Sequence, residues 1–216
     1  ASHDLQEPLR VIRGYLQLIE RRYKDQLDDD GREFIQFAVD GGQRMQTLIA
    51  SLLTYARVGT KAVAFQTVDT ADVFGDVQHN LKAAIEEAGA AITSDPLPLV
   101  YADPSQLGQL FQNLVGNALK FRHPDAPSAI HIGAKRCEGD WLFSVTDNGI
   151  GIEERHHEKI FMLFNRLHSK DAYSGEGIGL AVCKKIVEHH GGRIWVKSKL
   201  GEGTSFYFTL PDGNNP

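Results

Sequence analysis

Apolar residues in the first quarter of the chain recur at helical spacing. Leu5, Leu9, Ile12, Leu16, Ile19 and Tyr23 follow in steps of 4, 3, 4, 3 and 4, which places them on one helix face. Pro8 lies inside the pattern and lacks a backbone donor, so a kink is expected just after residue 3. Lys24 to Gly31 interrupts the pattern, and Asp28, Asp29 and Asp30 suit the cap and dipole of a second helix. That helix carries Phe34, Ala38, Gly41, Met45, Leu48, Leu52 and Tyr55, again in steps of 4 and 3. Gly41-Gly42 costs it stability; close approach of a neighbouring backbone is one reason to keep the pair. Two antiparallel helices of this size cannot bury both seams alone, and Ile35, Phe37, Ile49 and Leu53 widen the apolar surface. A four-helix bundle built by two chains is expected.

The texture changes at Val58-Gly59-Thr60-Lys61, which reads as a linker. Ala64 to Val68, Ala91 to Thr93 and Leu99 to Ala102 suit short strands; Thr70 to Ala88 and Ser105 to Phe121 suit helices. Ala129 to Arg136 and Trp141 to Asp147 alternate as a hairpin turning at Glu138-Gly139-Asp140. Glu176 to His190 is a further helix, ended by Gly191-Gly192, and Arg193 to Ser198 with Thr204 to Leu210 forms a second hairpin. The expected architecture is an α hairpin in a dimeric four-helix bundle, then a two-layer α/β sandwich with a mixed sheet of about five strands and three helices. The corresponding domains are residues 1–60 and 61–212, with 213–216 a frayed tail and fraying expected from Pro211.

Composition narrows the function classes. With 42% hydrophobic and 24% charged residues, 216 residues support a packed core. A net charge of -5 argues against broad binding to nucleic acid or anionic membrane. No apolar run approaches the ~20 residues of a membrane span, and no secretory signal precedes residue 3. Cys137 and Cys183 have no metal-ligand spacing and read as reduced thiols of a cytoplasmic protein. The start at Ala1, directly before His3, suggests a piece of something longer.

Candidate chemistry begins at His3-Asp4, which on its own reads as a solvated pair. Four later stretches change its standing. In Asn113-Leu114-Val115-Gly116-Asn117-Ala118-Leu119-Lys120-Phe121, the two Asn amides share a helix face, and neutral amide oxygens are hard ligands suited to Mg²⁺. Lys120 lies one position further round, within reach of phosphate. Asp147-Asn148-Gly149-Ile150-Gly151 follows a strand: a carboxylate there can accept from an exocyclic amine, and the glycines allow close backbone approach or positive φ. Ile160-Phe161-Met162-Leu163-Phe164-Asn165-Arg166 holds an aromatic pair that more often means core than ligand. Gly175-Glu176-Gly177-Ile178-Gly179-Leu180 opens a helix whose backbone amides can cradle phosphates.

Together and in this order, these stretches resemble the histidine protein kinases of two-component signalling across essentially the whole chain. Ser2-His3-Asp4-Leu5-Gln6-Glu7-Pro8-Leu9 resembles the family's phosphoacceptor box, and the later stretches its asparagine, glycine and phenylalanine boxes. Gly201-Glu202-Gly203-Thr204-Ser205-Phe206 also fits, and the box variant looks most like phytochrome output modules. The resemblance implies a sandwich of the GHKL/Bergerat ATPase type and ATP-dependent phosphorylation of His3, then transfer to an aspartate on a response-regulator receiver domain. Asp4 would orient the His3 ring, Asn113 and Asn117 would hold Mg²⁺, and Lys120 would offset phosphate charge. Asp147 would read adenine, with Phe121, Ile152 and Thr204 completing the pocket. Gly149, Gly151, Gly175, Gly177 and Gly179, with Ile178 and Leu180, would shape the pocket and a lid, and Arg166 would meet the phosphates. The implied partners are a second copy through the hairpin, the receiver domain and an upstream sensor. Three departures stand out: Gln6 replaces the commoner Arg and removes a cation that could steady the phosphoryl group, Glu7 replaces Thr and disfavours phosphatase activity, and Glu176 replaces a small hydroxyl residue. Two other readings share these residues: an ATPase of the gyrase and heat-shock type, and a weak docking module with a regulatory ATP site.

Overall fold

Two helices form the first unit, Ala1–Ala56. The structure, a computed structural model, describes residues 2–59, 64–137, 139–165, 167 and 177–212, with side chains described from residue 7. Helix α1 (Ser2–Tyr23) runs through Pro8 without a break. A single 3-10 turn, Lys24–Gln26, leads to α2 (Asp29–Arg57). As expected, Asp28 caps that start: its Oδ1 accepts from the Gly31 N–H at 2.8 Å.

The seam that packs inside the hairpin is only partly the one picked out on α2 by spacing, of which Gly41, Leu48 and Tyr55 are half-buried. Gly42 is buried, and a Cβ there would sit 3.9 Å from the Arg13 Cβ, so the glycine admits the facing helix. Arg13 Nη1 donates to Gln46 Oε1 at 2.8 Å and also to Gln43 Oε1. Ile35, Val39, Ile49 and Leu53 are half-buried, whereas Phe34, Met45 and Leu52 of the expected stripe are 68%, 50% and 41% exposed. Ile12, Ile19 and Tyr23 on α1 are exposed too. Each helix thus carries two apolar seams, and one hairpin covers only one of them.

The second unit, Arg57–Pro216, holds the remaining elements. In order these are β1 (Gln66–Asp69), α3 (Thr70–Asn80), α4 (Lys82–Ala88), β2 (Ala91–Ser94), β3 (Leu99–Ala102), α5 (Pro104–Lys120), β4 (Ala129–Cys137), β5 (Asp140–Asp147), α6 (Gly179–His189), β6 (Ile194–Lys199) and β7 (Gly203–Pro211). The five-stranded sheet has the order β2-β4-β5-β7-β6, and β1 pairs separately with β3. Only β2 runs parallel to its neighbour, so the sheet is mixed as expected. Alternate residues Phe206, Phe208 and Leu210 of β7 turn one face inward beneath α5 and α6. There Phe143 and Phe208 stack at 5.0 Å while Phe111 of α5 meets both edge-on.

Three boundaries differ from the sequence reading. The helix expected over 70–88 is two, meeting at Leu81, whose ψ of 6° is not helical. Helix α6 starts at Gly179 rather than Glu176, because Gly177 takes a φ of +70° and cannot extend it backwards. The chain does not fray at Pro211: β7 includes that residue, and buried Asp212 bridges to Val100 and pairs with Arg136.

Candidate active site

Helix α5 is fixed at its start by Asp103. Its Oδ1 accepts from Ser105 N at 2.9 Å, Ser105 Oγ at 2.7 Å and Gln106 N at 3.3 Å, and its Oδ2 from Gln106 Nε2 at 2.9 Å. Burial pushes this carboxyl up, but those four bonds together outweigh it and hold the group below its usual range. Leu107, Leu110, Phe111, Leu114 and Ala118 go into the core, which leaves Asn113, Asn117 and Phe121 along one edge at helical spacing. From Asn113 to Phe121 that edge is about 12 Å long.

At one end of it, Asn113 meets the start of α6. Its Nδ2 donates to the Gly179 carbonyl at 3.4 Å, and a Cβ at Gly179 would come within 3.6 Å of Oδ1. The amide is therefore orientated by its nitrogen, leaving the carbonyl oxygen as a ligand. Cys183, one turn along α6, donates its thiol to the Leu110 carbonyl at 4.0 Å; burial pushes that thiol up to about 12 against the lowering influence of Asn113, so it stays protonated. Among the described residues no side chain caps α6, whose first N–H groups lie next to half-buried Gly177 and Leu180 and buried Ile178 and suit an anion.

At the other end, β5 delivers Asp147 opposite Thr204 of β7. Asp147 Oδ1 accepts from Gly149 N at 2.8 Å and Thr204 N at 3.2 Å. Burial pushes the carboxyl up to about 6 despite these two bonds. The loop after it is strapped to α5, since Ile150 N donates to the Phe121 carbonyl at 3.0 Å, and to the last hairpin, since Gly201 N donates to Ile150 O at 2.8 Å. A Cβ at Gly149 would collide with the Phe121 carbonyl, and one at Gly151, where φ is +71°, with the Lys199 carbonyl. Ile152 and Thr204 are joined through Ser198: its Oγ accepts from Ile152 N at 2.8 Å and lies 3.0 Å from Thr204 Oγ1.

Asn113, Asn117, Phe121, Asp147, Gly149, Gly151, Ile152, Gly177, Ile178, Gly179, Leu180 and Thr204 thus fall along the α5 edge, the Asp147 loop and the α6 start. Lys120 places its ammonium 4.4 Å over the Phe121 ring. His3 and Asp4 belong to α1, and their side chains lie outside the described residues, as do Arg166 and Gly175 altogether. Phe161 is core-like, meeting Phe206 edge-on at 6.3 Å. Two contributors were not foreseen. Ser198 carries no motif, and Cys183 was read only as a thiol; both act through contacts distant in sequence. Cys137 and Cys183 are free, in keeping with reduced thiols. No helix among the described residues is long and apolar enough to cross a membrane.

A helical hairpin is followed by a mixed α/β sandwich in which the Asn113 amide meets the start of α6. Comparison with known proteins names the class. Residues 102–214 match the family described as histidine kinase-, DNA gyrase B-, and HSP90-like ATPase, and residues 1–61 match the His Kinase A (phospho-acceptor) domain. The chain is 57% identical to cyanobacterial phytochrome A of Nostoc sp. over 99% of its own length and 28% of that protein. It is 50% identical to the phytochrome-like protein Cph1 of Synechocystis sp., again over 99% of this chain and 28% of the relative. The crystal structure of full-length ShkA in complex with AMPPNP superposes with a TM-score of 0.71 at 28% identity, over 97% of this chain and 44% of that one. The chain belongs to the histidine kinases, as a phosphoacceptor hairpin joined to an ATP-binding domain. It spans little more than a quarter of the curated relatives' length, 28% in each of the two named here.

Proposed function

We propose that this chain is the output core of a larger phytochrome-like sensor that phosphorylates itself on His3 and passes the phosphoryl group to a receiver-domain aspartate, in the cytoplasm. The observation that carries the reading is the α5 edge, with the half-buried Asp147 carboxylate at one end and the Asn113 amide beside the start of α6 at the other. Asp147 accepts from the adenine amine, Phe121, Ile152 and Thr204 flank the base, and the start of α6 takes the phosphates. Asn113 and Asn117 would hold Mg²⁺ through their amide oxygens. The donor set fits such an ion: the Asn113 nitrogen is already engaged, and no described cluster of three His, Cys, Asp or Glu could hold a metal. The ion would neutralise charge on the triphosphate.

In the transfer, a neutral His3 ring nitrogen forms a bond to the γ-phosphorus as the bond to the bridging oxygen breaks and ADP leaves. Asp4 accepts from the other ring nitrogen and offsets the positive charge that grows there. Arg166 would meet the phosphates. Positioning and charge neutralisation supply most of the rate. Glu7, which pairs with Arg10 at 2.5 Å, keeps an acid beside the acceptor and disfavours phosphatase activity. The second seam of the hairpin is the surface a second copy would cover, because so large an apolar face is rarely left to solvent.

Incubation with γ-labelled ATP and Mg²⁺ tests the reading. Acid-labile, base-stable label lost in His3→Ala supports it. Free phosphate without protein label would favour an ATPase, and nucleotide binding with neither would favour a docking module.

A further inference from the structure

His190, at the end of α6, is 3% exposed, and both its ring nitrogens are used. Nε2 accepts from the Asp103 N–H at 3.0 Å, so the ring proton sits on Nδ1, 2.8 Å from the Ile186 carbonyl. Burial, the largest influence, pushes the imidazole below its usual range, which keeps this neutral tautomer. The facing titratable groups are the Asp103 carboxylate, already satisfied by Ser105 and Gln106, and the His189 ring at 5.7 Å.

The segment leading into β1 lies on this ring. Phe65, just before β1, stacks on His190 with centroids 4.4 Å apart and planes 7° apart, and meets His189 and Tyr101 edge-on. On the other flank of the linker, a Cβ at Gly59 would stand 3.2 Å from His189 Nδ1. The two helices joined at His190 are those of the nucleotide site. Asp103 caps α5, which carries Asn113 and Asn117, and α6 runs back from His190 to Gly179. Each helix is stiff over about 15 Å between the imidazole and the site.

We propose that His190 is a positioning residue that clamps the segment leading into β1, at Phe65, to both nucleotide-site helices, so that seating of Phe65 and binding of nucleotide favour one another. The proposal rests on the reading of the α5–α6 edge as the nucleotide site. Any such coupling is reciprocal: nucleotide must protect the segment at Phe65 as much as the seated Phe65 tightens the site.

The test is hydrogen exchange of residues 64–69 in the full chain, with and without a non-hydrolysable ATP analogue and Mg²⁺. His190→Phe keeps an aromatic ring but loses both hydrogen bonds, and His190→Gln can restore both with a planar amide that Phe65 can still cover. Phe65→Ala removes the ring contacts with His190, His189 and Tyr101 and leaves the buried bonds, which keeps the test alive if His190→Phe does not fold. Slowing of exchange by about fivefold or more is expected in the native chain and His190→Gln, and its loss in His190→Phe and Phe65→Ala. Equal slowing in all four, or none in a native chain shown by titration to bind the analogue, overturns the clamp. A titration showing no binding overturns the nucleotide reading itself and the clamp with it.

Discussion

Asp147→Asn should make the second unit more stable while disabling its site. Burial raises the carboxyl from its ordinary 3.8 to about 6. Between those values the folded chain holds a proton that the unfolded chain has released, so stability falls as pH rises through the window. At neutral pH the charged form costs the fold up to about 3 kcal/mol, the free-energy equivalent of that difference. Asparagine has nearly the same shape, and its Oδ1 can accept from Gly149 N and Thr204 N as the carboxylate does. The variant should therefore gain about 1–3 kcal/mol at pH 7.5, with the gain falling to about half at pH 5 as the native carboxyl protonates. Urea unfolding followed by fluorescence reads this directly, since both tryptophans, Trp141 and Trp195, lie in this unit. Nucleotide affinity should drop by about tenfold to a hundredfold, the worth of one hydrogen bond to a charged group. A variant no more stable than the native chain at pH 7.5, or a gain that does not change with pH, refutes the burial argument.

Three further outcomes are expected. Gly151→Ala combines a φ of +71° with a collision against the Lys199 carbonyl, and should destabilise the unit by about 3 kcal/mol or more in urea; an unchanged midpoint would contradict it. Asp103→Ala should cost about 1–2 kcal/mol as a lost helix cap. Because the folded Asp103 carboxyl sits below its usual range, its stabilisation holds at neutral pH and is lost as pH falls through that folded value, so the variant should lack this part of the acid-induced loss seen in urea titrations. Asn117→Asp should abolish labelling by γ-labelled ATP with the circular dichroism spectrum intact; unchanged labelling would remove this residue from the proposed metal site.

The sequence made local features readable and left pairings between distant segments hidden. Asn113 and Asn117 declare themselves because both sit on one strongly amphipathic helix whose period is unambiguous. The two hairpins were legible from alternation and glycine turns, and pair as expected. On α2 the spacing argument found an apolar seam but could not say which of two faces its neighbour, so Phe34 and Met45 came out exposed and Ile35 and Ile49 half-buried. Ser198 and His190 were invisible for a different reason. Each acts through partners far along the chain, Ser198 on Ile152 and His190 on Asp103, and no periodicity encodes a hydrogen bond across 46 or 87 residues. The α6 start was misplaced because helix propensity was carried through Gly177, whose left-handed backbone ends it.

Everything in the functional reading converges on one imidazole. Locating the phosphate after reaction with ATP and Mg²⁺, by mass spectrometry of peptides kept at alkaline pH, tests it most directly. Phosphate on His3 is the expected result, absent in Asn117→Asp and reduced in Asp147→Asn at limiting ATP. Phosphate on another residue with His3 unmodified, or turnover of ATP without modified protein, would contradict it.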